Sequence, residues 1–309
     1  MTPDGTDPSA PASAPAVVLH IGAHKTASTH FQALCSANRD LLRASGCAWF
    51  GPDTLRHALK LPALHDSHMV MRWRGRHLRR ALQGEIRAGQ HLLVSDENML
   101  GSPRPPAMVA GAQLYPGAEM RLAATCVALG LQGVTLALCI RNPLDWLVSG
   151  WGHQFLAGRP VSFERFCAGL SPLDLRWSEM VGRVLALEPV RHVVLWRHED
   201  YGALAAHLPA RFLGLGGMEL QPLPAPRGGR RYLTGPSARA IAALPRIMAR
   251  EPELKPSRAM RKAMRRFPKG ADRPGPQPFA ADQLSEARHR YQADWAQLAQ
   301  SAHVTCLTP

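Results

Sequence analysis

The sequence predicts an α/β fold of three layers, in which a central, mostly parallel sheet of four or five strands is flanked by helices. Four continuous apolar runs have the length of strands, and segments with helical periodicity fill the intervals between them. A chain of 309 residues with 46% hydrophobic side chains is long enough to bury the core that this fold needs. Strands that alternate with helices favour βαβ units, and therefore a parallel sheet.

The predicted strands are continuous apolar runs, which are typical of strands covered on both faces. The four strong runs are VVLHI (17–21), HLLVS (91–95), VTLALCI (134–140) and HVVLWR (192–197), and CAWF (47–50) is a weaker candidate. Helical patterns follow them, the first over residues 29–45. In such sheets, ligands bind beyond the carboxyl ends of the strands, so we expect the chemistry there.

The charge indicates the kind of partner that the protein binds, and the cysteine content indicates its redox compartment. The net charge of +14 and the isoelectric point of about 10.4 favour an anionic partner, such as a phosphate-bearing cofactor, a glycan, nucleic acid or anionic lipid. The six cysteines have no metal-binding spacing, and most lie in apolar surroundings. We therefore expect free, buried thiols in a reducing compartment.

From the composition of residues 1–15 and the lack of a long apolar run, we expect a cytoplasmic protein. Residues 1–15 are rich in Pro, Ala and Ser and lack the features of a signal peptide, so we expect a disordered tail. Residues 16–309 are expected to form a single domain. No run approaches the about 18 apolar residues of a spanning helix.

The turn after the first strand has the composition of an anion-binding loop. Gly22 is followed by Lys25 and then by small hydroxylated residues that open a helix. Free backbone N–H groups and the helix dipole favour phosphate or sulfate at such a turn. The spacing is not that of a Walker A motif. An ordinary strand-to-helix turn with a Ser or Thr N-cap is the alternative interpretation.

A second motif follows the third strong strand, in the stretch RNPLDWLVS (141–149). Arg141 falls at the carboxyl end of the strand, and Ser149 falls two turns into the next helix. An Arg can bind a phosphate with two parallel hydrogen bonds, and a Ser can donate to the same group. The alternatives are an ion pair of Arg141 with Asp145 and a helix contact for Ser149.

Together, the stretches KTASTHFQ (25–32) and RNPLDWLVS resemble the two signatures of the sulfotransferase superfamily that uses 3′-phosphoadenosine 5′-phosphosulfate (PAPS). The second stretch matches its signature at every defined position, whereas Ala27 replaces the usual Gly of the first. VVLWRHEDY (193–201) and FAADQLSEARHRYQADWAQL (279–298) also look similar to segments of bacterial members. The resemblance implies a P-loop fold and transfer of a sulfuryl group to a hydroxyl or an amine.

The resemblance also implies roles for individual residues. Lys25 is expected to stabilise the leaving oxygen, and Arg141 with Ser149 to hold the 3′-phosphate. The chemistry requires no metal. The residues expected at the cofactor are His24, Lys25, Thr26, Ala27, Ser28, Thr29, Arg141, Ser149, Arg230 and Arg231, of which the last two rest on their position in a late Gly-rich loop alone.

A general base must take the proton of the acceptor, and the rim after the second strong strand supplies candidates. Glu97 is the best placed, Asp96 is second, and His24 and His30 beside the loop are further candidates. An enclosed, apolar rim is expected to raise the pKa of Glu97 toward neutrality. The alternative is a cluster that caps the next element.

The acceptor is expected to be a hydroxylated compound, such as a carbohydrate or a glycolipid. The basic segment 255–269 has an amphipathic pattern that suits an anionic membrane surface, a polyanionic acceptor or the cofactor entrance, with a solvated basic face as the alternative. No nucleic acid is expected as a partner. The alternative functions are a P-loop kinase or related nucleotide enzyme, and a basic nucleic-acid or membrane-binding module.

Overall fold

The computed structural model describes residues 15–59, 68–224 and 234–309. The strands are β1 (Val17–His20), β2 (Cys47–Phe50), β3 (His91–Ser95), β4 (Val109–Ala110), β5 (Gln113–Leu114), β6 (Val134–Ile140), β7 (Val190–Arg197) and β8 (Val304–Leu307). Six of them form one sheet in the order β2-β3-β1-β6-β7-β8, and every neighbouring pair is parallel. β4 and β5 form a separate antiparallel pair.

Helices connect the strands throughout the described residues. They are α1 (Ser28–Ala37), α2 (Arg39–Ala44), α3 (Pro52–Leu59), α4 (His68–Arg87), α5 (Ala118–Leu129), α6 (Pro143–Leu156), α7 (Phe163–Phe166), α8 (Trp177–Leu185), α9 (Tyr201–Leu204), α10 (Leu208–Leu213), α11 (Ala238–Arg250), α12 (Pro256–Arg266) and α13 (Ala281–Ala299).

The sheet carries a hydrophobic core on each face. In β1, Val18 faces the core beneath α1, α2 and α10, whereas Leu19 faces the larger core beneath α4, α5, α6 and α8. Both side chains are fully buried. Because successive side chains of a strand point to opposite faces, burial on both faces requires apolar residues at every position. The predicted three-layer α/β fold with a mostly parallel sheet is confirmed.

Asn142 and Pro143 determine where the helix that follows β6 begins. The side chain of Asn142 accepts a hydrogen bond of 3.1 Å from the backbone N–H of Leu144, and Pro143 occupies the first turn. An Asn cap satisfies one of the free N–H groups, and Pro needs no acceptor there. These two residues place α6 directly after Arg141, at the carboxyl edge of the sheet.

The structure differs from the sequence-based expectation in two elements. The sheet has six strands rather than four or five: the weak candidate 47–50 forms β2, and the unpredicted β8 pairs with β7 at the edge. The helix predicted over 29–45 is interrupted at Asn38, whose side chain bonds to the backbone of Leu34 and of Gln221. A side chain that bonds to the backbone in this way competes with helix continuation.

Some predictions concern residues outside the described ranges. The predicted tail falls there except for residue 15, and so do Arg230 and Arg231. All six cysteines lie within the described ranges and carry free thiols. Among the helices that the structure describes, none has the length and apolar content needed to cross a membrane.

Candidate functional site

The central strands of the sheet bring three segments of the sequence together. β1 lies between β3 and β6, and His20 at its end is in register with Ser95 of β3 and Ala137 of β6. The loop after β1, the rim after β3 and Arg141 after β6 therefore meet at the carboxyl edge. This is the edge where ligands bind in open parallel sheets.

The loop after β1 has an unusual backbone conformation. Gly22, Lys25 and Ala27 have φ angles of 28°, 69° and 66°. A Cβ atom on Gly22 would lie 2.4 Å from the Oγ atom of Ser28, so this position admits only glycine without rearrangement. Left-handed residues alternating with others in a turn direct successive N–H groups into one concavity. The loop therefore has the shape of an anion-binding cradle.

Ala27 is the N-cap of α1 and adopts the left-handed conformation (φ 66°, ψ 16°) without a side-chain capping bond. Among the described residues, no backbone carbonyl accepts a hydrogen bond from the N–H groups of residues 25–29. These donors and the positive end of the dipole of α1 are available to an anion. The position that carries Gly in the similar family does need a positive φ, and an L-residue there is strained by about 1 kcal/mol.

Hydrogen bonds brace the loop from beneath. The hydroxyl of Thr26 donates to the carbonyl of Ala23 at 2.5 Å, and that of Ser28 donates to the same carbonyl at 3.3 Å. Both side chains are buried, whereas Thr29 is exposed. The predicted hydroxyl ligands therefore divide: Thr26 and Ser28 stabilise the loop, and Thr29 alone presents a hydroxyl to solvent.

Two aromatic residues that the sequence did not single out also hold the loop. The indole N–H of Trp146 donates to the carbonyl of His24 at 2.8 Å. The hydroxyl oxygen of Tyr115 accepts from the backbone N–H of His24, also at 2.8 Å. Both aromatic side chains are fully buried, and their rings pack edge to face. The loop is thus fixed before any ligand binds.

Lys25 and Arg141 converge on the concavity. The guanidinium of Arg141 donates from Nη1 to the carbonyl of Lys25 at 3.3 Å. Burial and then the charge of Arg141 lower the pKa of Lys25. Within the described ranges Arg141 forms no ion pair, so the predicted alternative of pairing with Asp145 is not found. Two uncompensated cations at a cradle of N–H groups favour an anionic ligand.

The face of α6 that carries Ser149 also carries a histidine. Ser149 is half-buried, and His153 follows it by four residues, one turn later. His153 is half-buried as well, and burial, the charge of Lys25 and that of Arg159 lower its pKa to about 4. His153 is therefore neutral at pH 7 and close to Lys25. His153 was not among the residues predicted from the sequence, where its four-residue spacing from Ser149 on one helix was the available signal.

A second missed histidine lies beside Arg141. Burial, followed by the charge of Arg141, lowers the pKa of His198 to about 4. Its Nδ1 atom is buried and has no hydrogen-bond partner within the described part of the chain. A buried polar atom without a partner is unfavourable, so this nitrogen lowers the stability of the fold at this point.

The acidic rim after β3 is organised by Arg56. Asp96 is fully buried, accepts two hydrogen bonds from Arg56 at 2.9 and 3.1 Å, and caps the following turn through the N–H of Asn98. Burial is the main reason that the pKa of Asp96 is raised. For Asp96, the alternative interpretation of a capping residue is therefore correct.

The expected rise in the pKa of Glu97 is wrong. Burial acts to raise it, but a hydrogen bond of 2.7 Å from Gln32, the charge of His24 and the ion pair with Arg56 at 3.2 Å together lower it. The rim is polar rather than apolar, because Arg56 reaches it from α3. Glu97 is thus an ionised carboxylate with both oxygens engaged.

The two histidines of the loop are turned away from the concavity. His24 is buried, contacts Tyr115 at 3.0 Å and Asn98 at 3.4 Å, and has a pKa lowered to about 4, chiefly by burial. His30 contacts the hydroxyl of Tyr201 at 2.7 Å. Burial also lowers the pKa of His30. Both side chains are engaged with structural partners.

No protein-family model matches the chain, and no curated protein matches it significantly. Among solved structures, the chain is similar to a crystal structure of a sulfotransferase from Alicyclobacillus acidocaldarius, with 14% sequence identity and a TM-score of 0.39. The similarity covers 80% of this chain and 95% of the other. A likeness this distant carries no argument about chemistry, which depends on the residues of the site itself.

Proposed function

We propose that this protein is a sulfotransferase that moves a sulfuryl group from PAPS to a hydroxyl, or an amine, of an acceptor such as a carbohydrate or glycolipid. One observation carries the proposal: the guanidinium of Arg141, without a carboxylate partner among the described residues, donates to the backbone of a cradle-shaped loop that also holds Lys25. The sequence around Arg141 matches its signature at every defined position, and the sequence around Lys25 matches apart from Ala27.

The residues present suit the two charged ends of PAPS. The free N–H groups of residues 25–29 and the ammonium of Lys25 offer donors to the 5′-phosphosulfate. Arg141 and Ser149 would hold the 3′-phosphate. The 3′-phosphate is what distinguishes this cofactor from ATP.

When bound, PAPS supplies the sulfuryl group, whose bond to the bridging phosphate oxygen breaks as the acceptor oxygen bonds to sulfur, which leaves adenosine 3′,5′-bisphosphate. The part of the protein is positioning and charge stabilisation. Lys25 would be the residue nearest the leaving oxygen, since its left-handed backbone and the contact of its carbonyl with Arg141 fix its main chain in the loop. Its charge stabilises the negative charge that develops on the leaving oxygen.

The acceptor proton must pass to a group at the same edge of the sheet. Glu97 is ionised and so able to accept a proton, but its oxygens bind Gln32 and Arg56. We propose that Glu97 mainly positions the rim through these two partners, and that the proton goes to a neutral histidine.

Thermal unfolding with ligands tests the cofactor assignment. A ligand that binds only the folded state raises the apparent melting temperature. We expect adenosine 3′,5′-bisphosphate to raise it, ADP to raise it less, and Arg141→Ala to abolish the difference. Arg250→Ala, which removes an exposed arginine of α11, is the matched control. A larger shift with ATP and magnesium than with the bisphosphate would instead favour a P-loop kinase.

A further inference from the structure

An open cleft lies just beyond the carboxyl-terminal end of α6. It has a volume of about 680 Å³, and its lining includes Arg104, Gln154, Arg159, Ser162, Arg165 and Phe166. The cleft plays no part in the cofactor assignment above. Three arginines line this one concavity.

The three guanidinium groups are uncompensated. Arg104, Arg159 and Arg165 are exposed, and across residues 15–59, 68–224 and 234–309 none of them forms an ion pair. The neighbouring Glu164 is not part of the lining and shares a hydrogen bond with Ser162. Like charges in one concavity repel each other, and an anionic ligand relieves that repulsion.

The walls of the cleft are fixed rather than loose surface segments. Gln154 is buried, and its amide group donates at 2.7 Å to the carbonyl of Pro103 and at 3.0 Å to that of Gly150, which ties the segment carrying Arg104 to α6. Phe166 is buried in the lining. Next to it, Phe163 packs edge to face on Trp151 at 5.3 Å. A rigid frame of this kind reduces the cost of ordering charged side chains around a ligand.

The cleft and the anion-binding loop are joined by one helix, α6, whose Trp146 donates to the carbonyl of His24 in the loop and whose Gln154 lines the cleft two turns later. His153 directly precedes Gln154, and the imidazole of His153 lies close enough to both Arg159 and Lys25 for each charge to lower its pKa. No side-chain hydrogen bond engages His153 within the described residues. The imidazole of His153 is therefore near both Arg159 of the cleft and Lys25 of the loop.

We propose that this cleft binds an acidic group of the acceptor, a carboxylate, sulfate or phosphate, and that it thereby presents the accepting hydroxyl to His153, which takes its proton. The inference rests on the proposed function, since it concerns the second substrate of the same site. It assigns the acceptor to the class of anionic hydroxylated compounds and excludes neutral sugars and simple alcohols as preferred acceptors.

A second cationic cleft provides the control. It has a volume of about 410 Å³ between α11 and α12 and is lined by Arg239, Arg246, Arg250 and Arg266. Two of these guanidinium groups stack on Phe267, at 5.1 and 5.5 Å from the ring centre. This cleft has a comparable charge, but its lining residues lie on α11 and α12 and the adjoining Phe267 rather than on α6, which contacts the anion-binding loop. Removing two arginines from either cleft changes the net charge equally.

Calorimetric titration of the full chain tests the proposal. The probes are a chondroitin tetrasaccharide, which carries carboxylates and sulfates, glucose 6-phosphate, and the neutral maltotetraose. They are titrated with and without saturating adenosine 3′,5′-bisphosphate. We expect an anionic probe to bind at least tenfold more tightly than maltotetraose. The double variant Arg104→Gln/Arg159→Gln should lose that preference, and Arg246→Gln/Arg250→Gln should retain it. The two anionic probes distinguish carboxylate or sulfate from phosphate recognition.

Two results would overturn the inference: an equal loss in both double variants, which indicates non-specific attraction by net charge, or no preference of the unaltered chain for either anionic probe. Because the titrations are also run without the bisphosphate, they report on the cleft even if the cofactor assignment fails. If the bisphosphate does not bind while the anionic probe does, the proposed function is wrong, but the inference that the cleft binds an anionic compound still holds.

Discussion

The guanidinium of Arg141 donates a hydrogen bond to the backbone carbonyl of Lys25, although the two residues are 116 positions apart in the sequence. The contact exists because β6 lies beside β1 in the sheet, so that the residues following each strand meet. It places two cations at the positive end of α1. Their mutual repulsion, together with burial, lowers the pKa of Lys25 and leaves the site prepared for an anion.

Replacing Ala27 with glycine should stabilise the protein. The residue has a φ of 66°, which strains an L-residue but not glycine. We expect the free energy of unfolding to rise by up to about 1 kcal/mol in urea denaturation, after the greater freedom of glycine in the unfolded chain is subtracted. Ala33→Gly within α1 is the matched control and should lower it by about 1 kcal/mol. A destabilised Ala27→Gly variant would contradict the assigned loop conformation.

Replacing Gly22 with alanine should damage the loop. The added methyl would lie 2.4 Å from Ser28 Oγ and 3.1 Å from the ring of His20, and both neighbours are buried. We expect a loss of several degrees in the melting temperature and of measurable binding of adenosine 3′,5′-bisphosphate. Gly202→Ala, where a methyl meets no atom within 4 Å, should change neither quantity. Normal bisphosphate binding by Gly22→Ala would show that the loop does not form the cofactor site.

Acidification should destabilise the fold through His20. Burial lowers its pKa from 6.5 to about 4, so the unfolded chain binds a proton between these values and the folded chain does not. The stabilising contribution is complete above pH 6.5 and is lost as the pH falls toward 4, at about 1.4 kcal/mol per pH unit. In urea unfolding at pH 7, 6 and 5, the free energy of unfolding should depend less steeply on pH in His20→Gln than in the unaltered chain. The exposed His289→Gln should keep that of the unaltered chain, and identical slopes in all three proteins would refute the assignment.

The identity of the base should be visible in pH–rate profiles. With PAPS and an active acceptor, we expect His153→Gln to lower kcat by at least a hundredfold and to remove the acidic limb of the profile, because the imidazole of His153 is neutral and lies near Lys25. Glu97→Gln keeps the size of the side chain and the contact with Gln32 in altered form, so we expect a smaller loss of kcat with the acidic limb retained. The reverse ranking would return the role of base to Glu97.

Features that depend on neighbouring residues in the sequence were predictable. The inner strands of the sheet are buried on both faces, so their apolar runs are continuous and identify them directly. Lys25 and Arg141 lie just beyond such runs, and parallel strands bring their carboxyl ends to one edge. β8 was missed because a four-residue edge strand, with Thr305 exposed, has no continuous apolar pattern.

Features that depend on distant residues were not predictable. The pKa of Glu97 is set by Gln32 on α1 and by Arg56 on α3, neither of which adjoins it in sequence. His153 becomes a candidate only because α6 carries it close to Lys25. A glycine is usual at the position of Ala27, which suggested a positive φ there. Whether this φ is positive depends on the conformation of the whole loop, which the sequence alone did not give.

We propose that Arg141 recognises the 3′-phosphate of the cofactor. Calorimetry can test this by comparing the affinity for adenosine 3′,5′-bisphosphate with that for adenosine 5′-monophosphate. The two ligands differ only in the 3′-phosphate, whose charged hydrogen bonds are worth about 2 kcal/mol. We expect the protein to bind the bisphosphate about thirtyfold more tightly than the monophosphate, and Arg141→Ala to abolish this preference. Equal affinity for the two ligands in the unaltered protein, or a preference that survives Arg141→Ala, would contradict it.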